Sequence, residues 1–141
     1  MLEWEYFKDK FHESWWRFMR GAIESEYMDD IYKQLKALNG KETVCPSNEN
    51  VFRSFSWNFD DIKTVLVLSD PYPWVKGNPR KPVIFADGLP MSCSITGSCQ
   101  PSLEKFYEAM GRELGFTVYE EPDLSYLAER GVFLINTALT R

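Results

Sequence analysis

Two short polar constellations each follow an apolar run. Ser69-Asp70-Pro71-Tyr72-Pro73 comes directly after Thr64-Val65-Leu66-Val67-Leu68, and Asn136-Thr137 comes after Val132-Phe133-Leu134-Ile135. Together they supply a carboxylate, a phenol and a primary amide that presents a donor and an acceptor side by side. If both runs are strands of one open parallel sheet, these groups sit at its carboxyl edge, where ligands bind in such sheets. Taken singly, each residue has an ordinary explanation: Asp70 as a turn or cap beside proline, Tyr72 as a half-buried aromatic, Asn136 as the end of a strand. Ser102, in Gln100-Pro101-Ser102-Leu103, can cap a helix.

These groups need elements to position them. Thr64 to Leu68 is β-branched and apolar with no polar alternation, which predicts a strand buried on both faces of a parallel sheet. Val132 to Ile135 predicts a second. Between them lies a long stretch from Trp74 to Gln100, rich in Pro, Gly and Ser, which reads as a loop of the length that commonly carries function. The spacing then predicts a helix with Leu103, Phe106, Tyr107, Met110 and Leu114 on one face, closed by Gly115, and another over Leu124 to Arg130, capped by Asp123 and ended by Gly131. The first forty residues read as helices. Trp4, Phe7, Phe11, Trp15, Phe18 and Met19 recur at helical spacing; Tyr27, Ile31, Leu35 and Leu38 form a second stripe, stopped at Asn39-Gly40. Strand, loop, helix, helix, strand is the order of an α/β domain with a parallel sheet.

Composition sets the class. The chain has 141 residues, 44% hydrophobic, 26% charged and 16% aromatic, enough apolar material for one packed domain and too much for disorder. No run approaches the roughly eighteen apolar residues of a membrane span, and the N-terminus is acidic and amphipathic, so an intracellular protein without a signal peptide is expected. Cys45, Cys93 and Cys99 have no metal spacing and His12 is distant, so reduced thiols are expected and no metal. The net charge of -5 is unlike a basic nucleic-acid coat. Its distribution is uneven: residues 1–61 hold 8 basic and 12 acidic side chains, whereas residues 62–100 hold Lys63, Lys76, Arg80 and Lys81 against Asp70 and Asp87. No Gly-rich phosphate loop is present.

Asp70-Pro71-Tyr72, Gln100-Pro101-Ser102-Leu103 and Gly131-Val132-Phe133-Leu134-Ile135-Asn136-Thr137-Ala138-Leu139-Thr140 follow one another in an order and spacing that resembles the uracil-DNA glycosylase family. The likeness extends to the front of the chain: Trp4 with its following aromatics, Val44-Cys45-Pro46, Val51-Phe52-Arg53-Ser54-Phe55, and Asp60-Asp61-Ile62-Lys63 running into the strand. The resemblance implies a three-layer α/β fold with a central parallel sheet and N-terminal helices, a single domain over residues 1–141. It implies an enzyme of base-excision DNA repair that hydrolyses the N-glycosidic bond of uracil flipped out of DNA, with no cofactor. Asp70 would be the catalytic carboxylate, ionised beside an oxocarbenium-like sugar and orienting the attacking water. Tyr72 would exclude the methyl of thymine, Asn136 would read the uracil edge and separate it from cytosine, and Pro101 and Ser102 would press on the DNA backbone. Lys76, Arg80 and Lys81 would add attraction for phosphate.

Four departures qualify the match. Leu68-Ser69 replaces the usual Gly-Gln, leaving Ser69 and the turn amides beside the base. Pro73 replaces a phosphate-contacting histidine, as in the poxvirus branch. In Asp87-Gly88-Leu89-Pro90-Met91-Ser92 the phenylalanine that stacks on uracil is Met91, a thioether with less surface and less rigidity. The family's later histidine motif and its leucine wedge would lie downstream of Arg141, so the resemblance covers roughly the first two-thirds of a glycosylase, and His12 is no substitute. The expected partners are uracil-containing DNA and a second polypeptide completing the fold, unless the remainder lies outside this stretch; no membrane is expected. The alternative is a catalytically weak or inactive glycosylase-derived component that binds DNA or protein in a replication or assembly complex.

Overall fold

The structure, a computed structural model, describes residues 4–38, 43–73, 75–78 and 81–141. Its elements in chain order are the helices α1 (Trp4–Phe7), α2 (Trp16–Ile23) and α3 (Glu26–Leu38), the strands β1 (Thr64–Leu68), β2 (Val75–Asn78) and β3 (Lys81–Val83), the helices α4 (Pro101–Leu114) and α5 (Ser125–Ala128), and the strand β4 (Val132–Asn136). β1 and β4 pair in parallel, in register from Thr64 opposite Val132 to Leu68 opposite Asn136. Because side chains alternate along a strand, Phe133 and Ile135 share one face with Val65 and Val67, while Leu66 and Leu134 share the other.

Each face meets a different layer. Phe133 and Ile135 pack on an aromatic cluster built from Phe7, Phe11, Trp15, Ile23 and Phe55. Trp15 is its centre, with ring centroids 5.0 Å from Phe55, 4.9 Å from Phe59 and 4.9 Å from Phe133. Its indole N–H, which burial would otherwise orphan, donates to the Trp57 carbonyl at 2.8 Å. Leu134 joins the second cluster with Leu89, Leu103, Tyr107 and Leu124, against which Leu66 packs. Helices and turns below, a parallel pair in the middle and α4 with α5 above make the three layers expected from the sequence.

The aromatic cover does not reach across the sheet. Val65 and Val67 are 55% and 58% exposed, so the expectation that β1 is buried on both faces is corrected. The N-terminal cluster packs over β4, and among the described residues no strand pairs with the second edge of β1.

Local chemistry shifts several boundaries. The N-terminal helical stretch is broken by 3-10 turns at Lys8–Lys10 and Glu13–Trp15, because the His12 ring accepts the Ser14 amide and lies 2.8 Å from its hydroxyl, capping a new start. On α3 no residue is fully buried; Tyr27 is 75% exposed and off the packed stripe, and Asn39-Gly40 lies outside the described residues. The helix α4 begins two residues earlier than expected: Gln100 rather than Ser102 is its N-cap and Pro101 occupies the first position, where its fixed φ suits the helix and its missing N–H costs nothing. Ser102 is thus inside the first turn rather than its cap. Asp123 does accept the Ser125 amide, at 2.9 Å, although α5 is only one turn long. The stretch from Trp74 to Gln100 is not all loop, since β2 and β3 pair antiparallel within it. Their short, Gly- and Pro-bearing sequences carry no alternation that would announce strands.

Gly131 is required where α5 turns into β4. Its φ is +92°, and a Cβ there would stand 2.4 Å from the Asp61 carbonyl, while its own carbonyl accepts the Lys63 and Thr64 amides at 2.8 and 3.2 Å. Among the described residues no helix is long and apolar enough to cross a membrane.

The two sheet positions should respond oppositely to substitution. Leu134→Ala, in the fully buried centre, is expected to cost about 2–5 kcal/mol, whereas Val67→Thr, on the uncovered face, should stay within about 0.5 kcal/mol. Urea unfolding followed by circular dichroism measures both, and a large loss for Val67→Thr would mean that this face is covered.

Candidate active site

The two strand exits are laced together beyond the sheet. The Thr137 amide donates to the Leu68 carbonyl at 2.8 Å, and the Ala138 amide and Thr137 hydroxyl both donate to the Ser69 carbonyl, at 3.0 and 2.8 Å. This continuation of the ladder brings the turn Ser69-Asp70-Pro71-Tyr72 beside Asn136, although the segments are more than sixty residues apart in the chain. Pro71 and Asn136 line one small cleft, of about 10 Å³, with Pro46, Val51, Ala86 and Leu89.

Asn136 is the unusual member. Its side chain is buried, and its Oδ1 is the one buried side-chain oxygen or nitrogen among the described residues without a hydrogen-bond partner. An acceptor left so is destabilising by about 1–3 kcal/mol unless water or a ligand supplies the donor. Ser54, Gly88 and Leu139 complete the wall around it.

Asp70 stands on the open side, its Oδ2 2.6 Å from Nη1 of Arg141. The Tyr72 hydroxyl lies 2.6 Å from the Ser102 hydroxyl, which ties the turn after β1 to the first turn of α4. Burial pushes the Tyr72 phenol above its ordinary value, more than the Ser102 bond pulls it down, so it is neutral at physiological pH. Pro101 and Ser102 are exposed beside it. Met91 is half-buried against the Leu89 and Leu103 cluster and holds a φ of +60°, a conformation that non-glycine residues rarely adopt. Lys76 and Lys81 fall on β2 and β3, and Arg80 lies outside the described residues.

A network that the sequence reading did not single out supports the loop carrying Leu89 and Met91. Asp87, with a 2% exposed side chain, meets Nη1 of Arg53 at 2.9 Å and accepts from the Leu89 amide, the Ser92 hydroxyl and the amide and hydroxyl of Ser94. Arg53 continues to the Asp123 carboxylate at 3.2 Å and the Ser125 hydroxyl at 2.7 Å. Ser92 passes the connection to the Leu124 amide. Gly88 completes the wall with a φ of +98°; a Cβ there would meet the Asn50 carbonyl at 2.1 Å. The only sequence signal for this network is a lone charge inside each of two apolar segments, Val51-Phe52-Arg53-Ser54-Phe55 and Ala86-Asp87-Gly88-Leu89-Pro90. That pattern does not name the partner.

Other reactive groups are occupied structurally. Among the described residues no three metal-ligating side chains gather, and none of Cys45, Cys93 and Cys99 is in a disulfide. Burial, reinforced by Glu120, Glu104 and Glu121, pushes the Cys99 thiol up, which keeps it protonated and unreactive. His12 serves as the cap described above.

The molecule is therefore an α/β protein with a cluster of polar side chains, Asp70, Tyr72 and Asn136, at the carboxyl edge of a parallel strand pair. The comparisons with known proteins agree on which α/β fold it is. Over 134 residues, 94% of its length, it is 29% identical to the uracil-DNA glycosylase of Limosilactobacillus reuteri (strain DSM 20016) and 27% identical to that of Bacillus subtilis (strain 168), covering 55% and 56% of those proteins. The crystal structure of mimivirus uracil-DNA glycosylase superposes with a TM-score of 0.80 at 22% identity, over 95% of this chain and 49% of that one. A variant of the mimivirus protein in complex with UGI gives 0.79, at 22% identity, over 100% of this chain and 56% of that one. No protein-family model matches. The chain has the uracil-DNA glycosylase fold and spans about half the length of the curated relatives it matches.

Two substitutions test the supporting network. Asp87→Asn leaves Arg53 with Asp123 as its remaining carboxylate partner and should destabilise by about 1–3 kcal/mol in urea unfolding. At Asp123 burial raises the carboxyl, but the Ser125 hydroxyl and amide bonds and Arg53 outweigh it and hold it below the ordinary 3.8. A depressed folded value means the stabilisation is complete above the unfolded value and is lost as pH falls through the folded one. The stability gap between wild type and Asp123→Asn is therefore expected to be present at pH 6 and to shrink below the ordinary aspartate value; a gap constant with pH would contradict the assignment.

Proposed function

We propose that this protein acts on uracil in DNA, hydrolysing the N-glycosidic bond of a flipped-out base whose edge is read by Asn136. The observation that carries the reading is the orphaned, buried Asn136 Oδ1 next to the Asp70 turn. Uracil has an N–H at position 3 that satisfies this acceptor, and its neighbouring carbonyl takes the Asn136 amide N–H. Cytosine has no hydrogen at that nitrogen and would leave Oδ1 unpaired, a discrimination of about 1–3 kcal/mol from this one contact. Relatives that carry the uracil-DNA glycosylase name along 94% of the chain support the same substrate.

In this reading the bond between the sugar C1′ and uracil N1 breaks with its electron pair leaving on the base. Positive charge develops at the sugar, and the Asp70 carboxylate stabilises it by through-space attraction. Water held by Asp70 adds to C1′ and gives up its proton through that carboxylate. The Tyr72 ring, fixed by its bond to Ser102, stands against C5 and excludes a methyl group; Met91 packs on the face of the base; Ser69 contributes its turn. Pro101 and Ser102 take the DNA backbone, with Lys76, Arg80 and Lys81 adding attraction for phosphate.

The uncovered face of β1 favours one addition to this picture. Val65 and Val67 continue the apolar face that the aromatic cluster covers over β4, and among the described residues no strand pairs with the second edge of β1. An exposed apolar strand edge is a docking template, which supports completion of the sheet by further polypeptide. The place of action is wherever the DNA is, inside the cell.

Incubation with a single-stranded oligonucleotide bearing one uracil, beside an Asp70→Asn control, tests the reading by mass spectrometry of released base. Wild-type release reduced about 100-fold or more in the control is expected. Absence of release from protein shown to be folded would overturn catalysis by this chain and leave the non-catalytic binding role.

A further inference from the structure

The segment after β4 carries a cation, Arg141, directed at the candidate catalytic carboxylate. Arg141 is fixed at both of its backbone polar atoms: its amide donates to the Cys45 carbonyl at 2.9 Å, and its carbonyl accepts the Cys45 amide at 2.8 Å. Cys45 is fully buried, so the anchor is part of the protein body. With Thr137 and Ala138 pinned on Leu68 and Ser69, the whole exit from β4 is held at both ends, and the guanidinium reaches back to Asp70.

A stabilising role explains little of this. The pair is open to solvent, with side chains 57% and 40% exposed, and exposed pairs contribute little to folding. Nη1 is engaged by one oxygen of Asp70, and among the described residues the guanidinium has no other partner. A guanidinium carries five N–H donors in a rigid fork, so on a side chain 57% exposed the others are available beside the carboxylate. A lone carboxylate at that place would repel a polyanionic strand; a cation holding it and presenting its other donors removes the conflict.

We propose that Arg141 bridges Asp70 and a phosphodiester group of the bound DNA strand, one N–H orienting the carboxylate and the rest of the fork taking a phosphate oxygen. Arg141 is thus a positioning residue for Asp70 and a DNA contact. The inference rests on the reading of Asp70 given above, and its test separates the two.

Binding of a fluorescently labelled, uracil-bearing single-stranded oligonucleotide is measured by anisotropy over a salt series for wild type, Arg141→Gln, Arg141→Lys and the charge control Arg112→Gln on α4. Loss of one phosphate contact should flatten the slope of log K against log salt by about 0.7 in Arg141→Gln, with affinity at low salt roughly tenfold weaker. Arg141→Lys should keep the slope but lose base-release kcat, because a point charge replaces the fork; Arg112→Gln should change neither. A slope in Arg141→Gln equal to that of wild type overturns the bridge while leaving the Asp70 reading intact. Base release abolished by Asp70→Asn but unchanged in Arg141→Lys overturns the positioning role. Wild-type protein that binds with the expected slope but releases no base removes the catalytic reading, and with it the positioning half of the inference, while the phosphate contact stands.

Discussion

The parallel pairing of β1 with β4 and its continuation past the sheet govern the rest of this molecule. Five residue pairs in register bring the two strands together, and three hydrogen bonds from Thr137 and Ala138 to the carbonyls of Leu68 and Ser69 carry that register into the loops. A register slip of one residue would turn Leu134 away from α4 and put Asn136 on the opposite face. The pocket exists because the slip is prevented by burial on both sides of β4: Phe133 and Ile135 in the aromatic layer, Leu134 against α4 and α5.

A second constraint is electrostatic. The carboxylate of Asp87 is held inside by Arg53 and by the amides and hydroxyls of Leu89, Ser92 and Ser94. Burying a charge is tolerable only when its lone pairs are matched in this way. The matching has a geometric consequence, since each partner is a point on the loop that forms the pocket wall. Arg53 extends the same network to Asp123 and Ser125, so the turn before α5, the 3-10 turn at Arg53 and the Leu89 to Met91 loop form one unit. Against that rigid wall the unsatisfied Oδ1 of Asn136 is conspicuous: polar groups nearby are paired, and this acceptor faces a pocket.

The layers differ in completeness. Aromatic rings from α1, the 3-10 turns and the segment Phe52 to Phe59 cover β4 densely, while β1 presents Val65 and Val67 to solvent at an open edge. A strand so apolar is suited to an interior position, and the relatives that share this fold extend over about twice the length covered here.

Much of this was legible in the residues. The apolar runs Thr64 to Leu68 and Val132 to Ile135 determined two strands, because β-branched and aliphatic residues without polar alternation suit few other environments. Gly115 marked a helix end, whereas the helix expected to run to Gly131 stops at Ala128; Asp70, Tyr72 and Asn136 were recognisable because each stands directly after or within a strand exit. Other features were invisible at this level. The 3-10 breaks in the first twenty residues depend on a cap at His12 that overrides helical spacing, and the start of α4 at Pro101 depends on where the chain arrives from Tyr72. Whether β1 is covered depends on what lies beside it, which no property of Val65 or Val67 encodes. The pairing of Arg53 with Asp87 and of Arg141 with Asp70 joins residues 34 and 71 positions apart. Local sequence determines the chemistry each residue carries and the element it favours; partners, burial and the orphaned acceptor of Asn136 were decided only by tertiary packing, because these depend on distances that chain neighbours do not set.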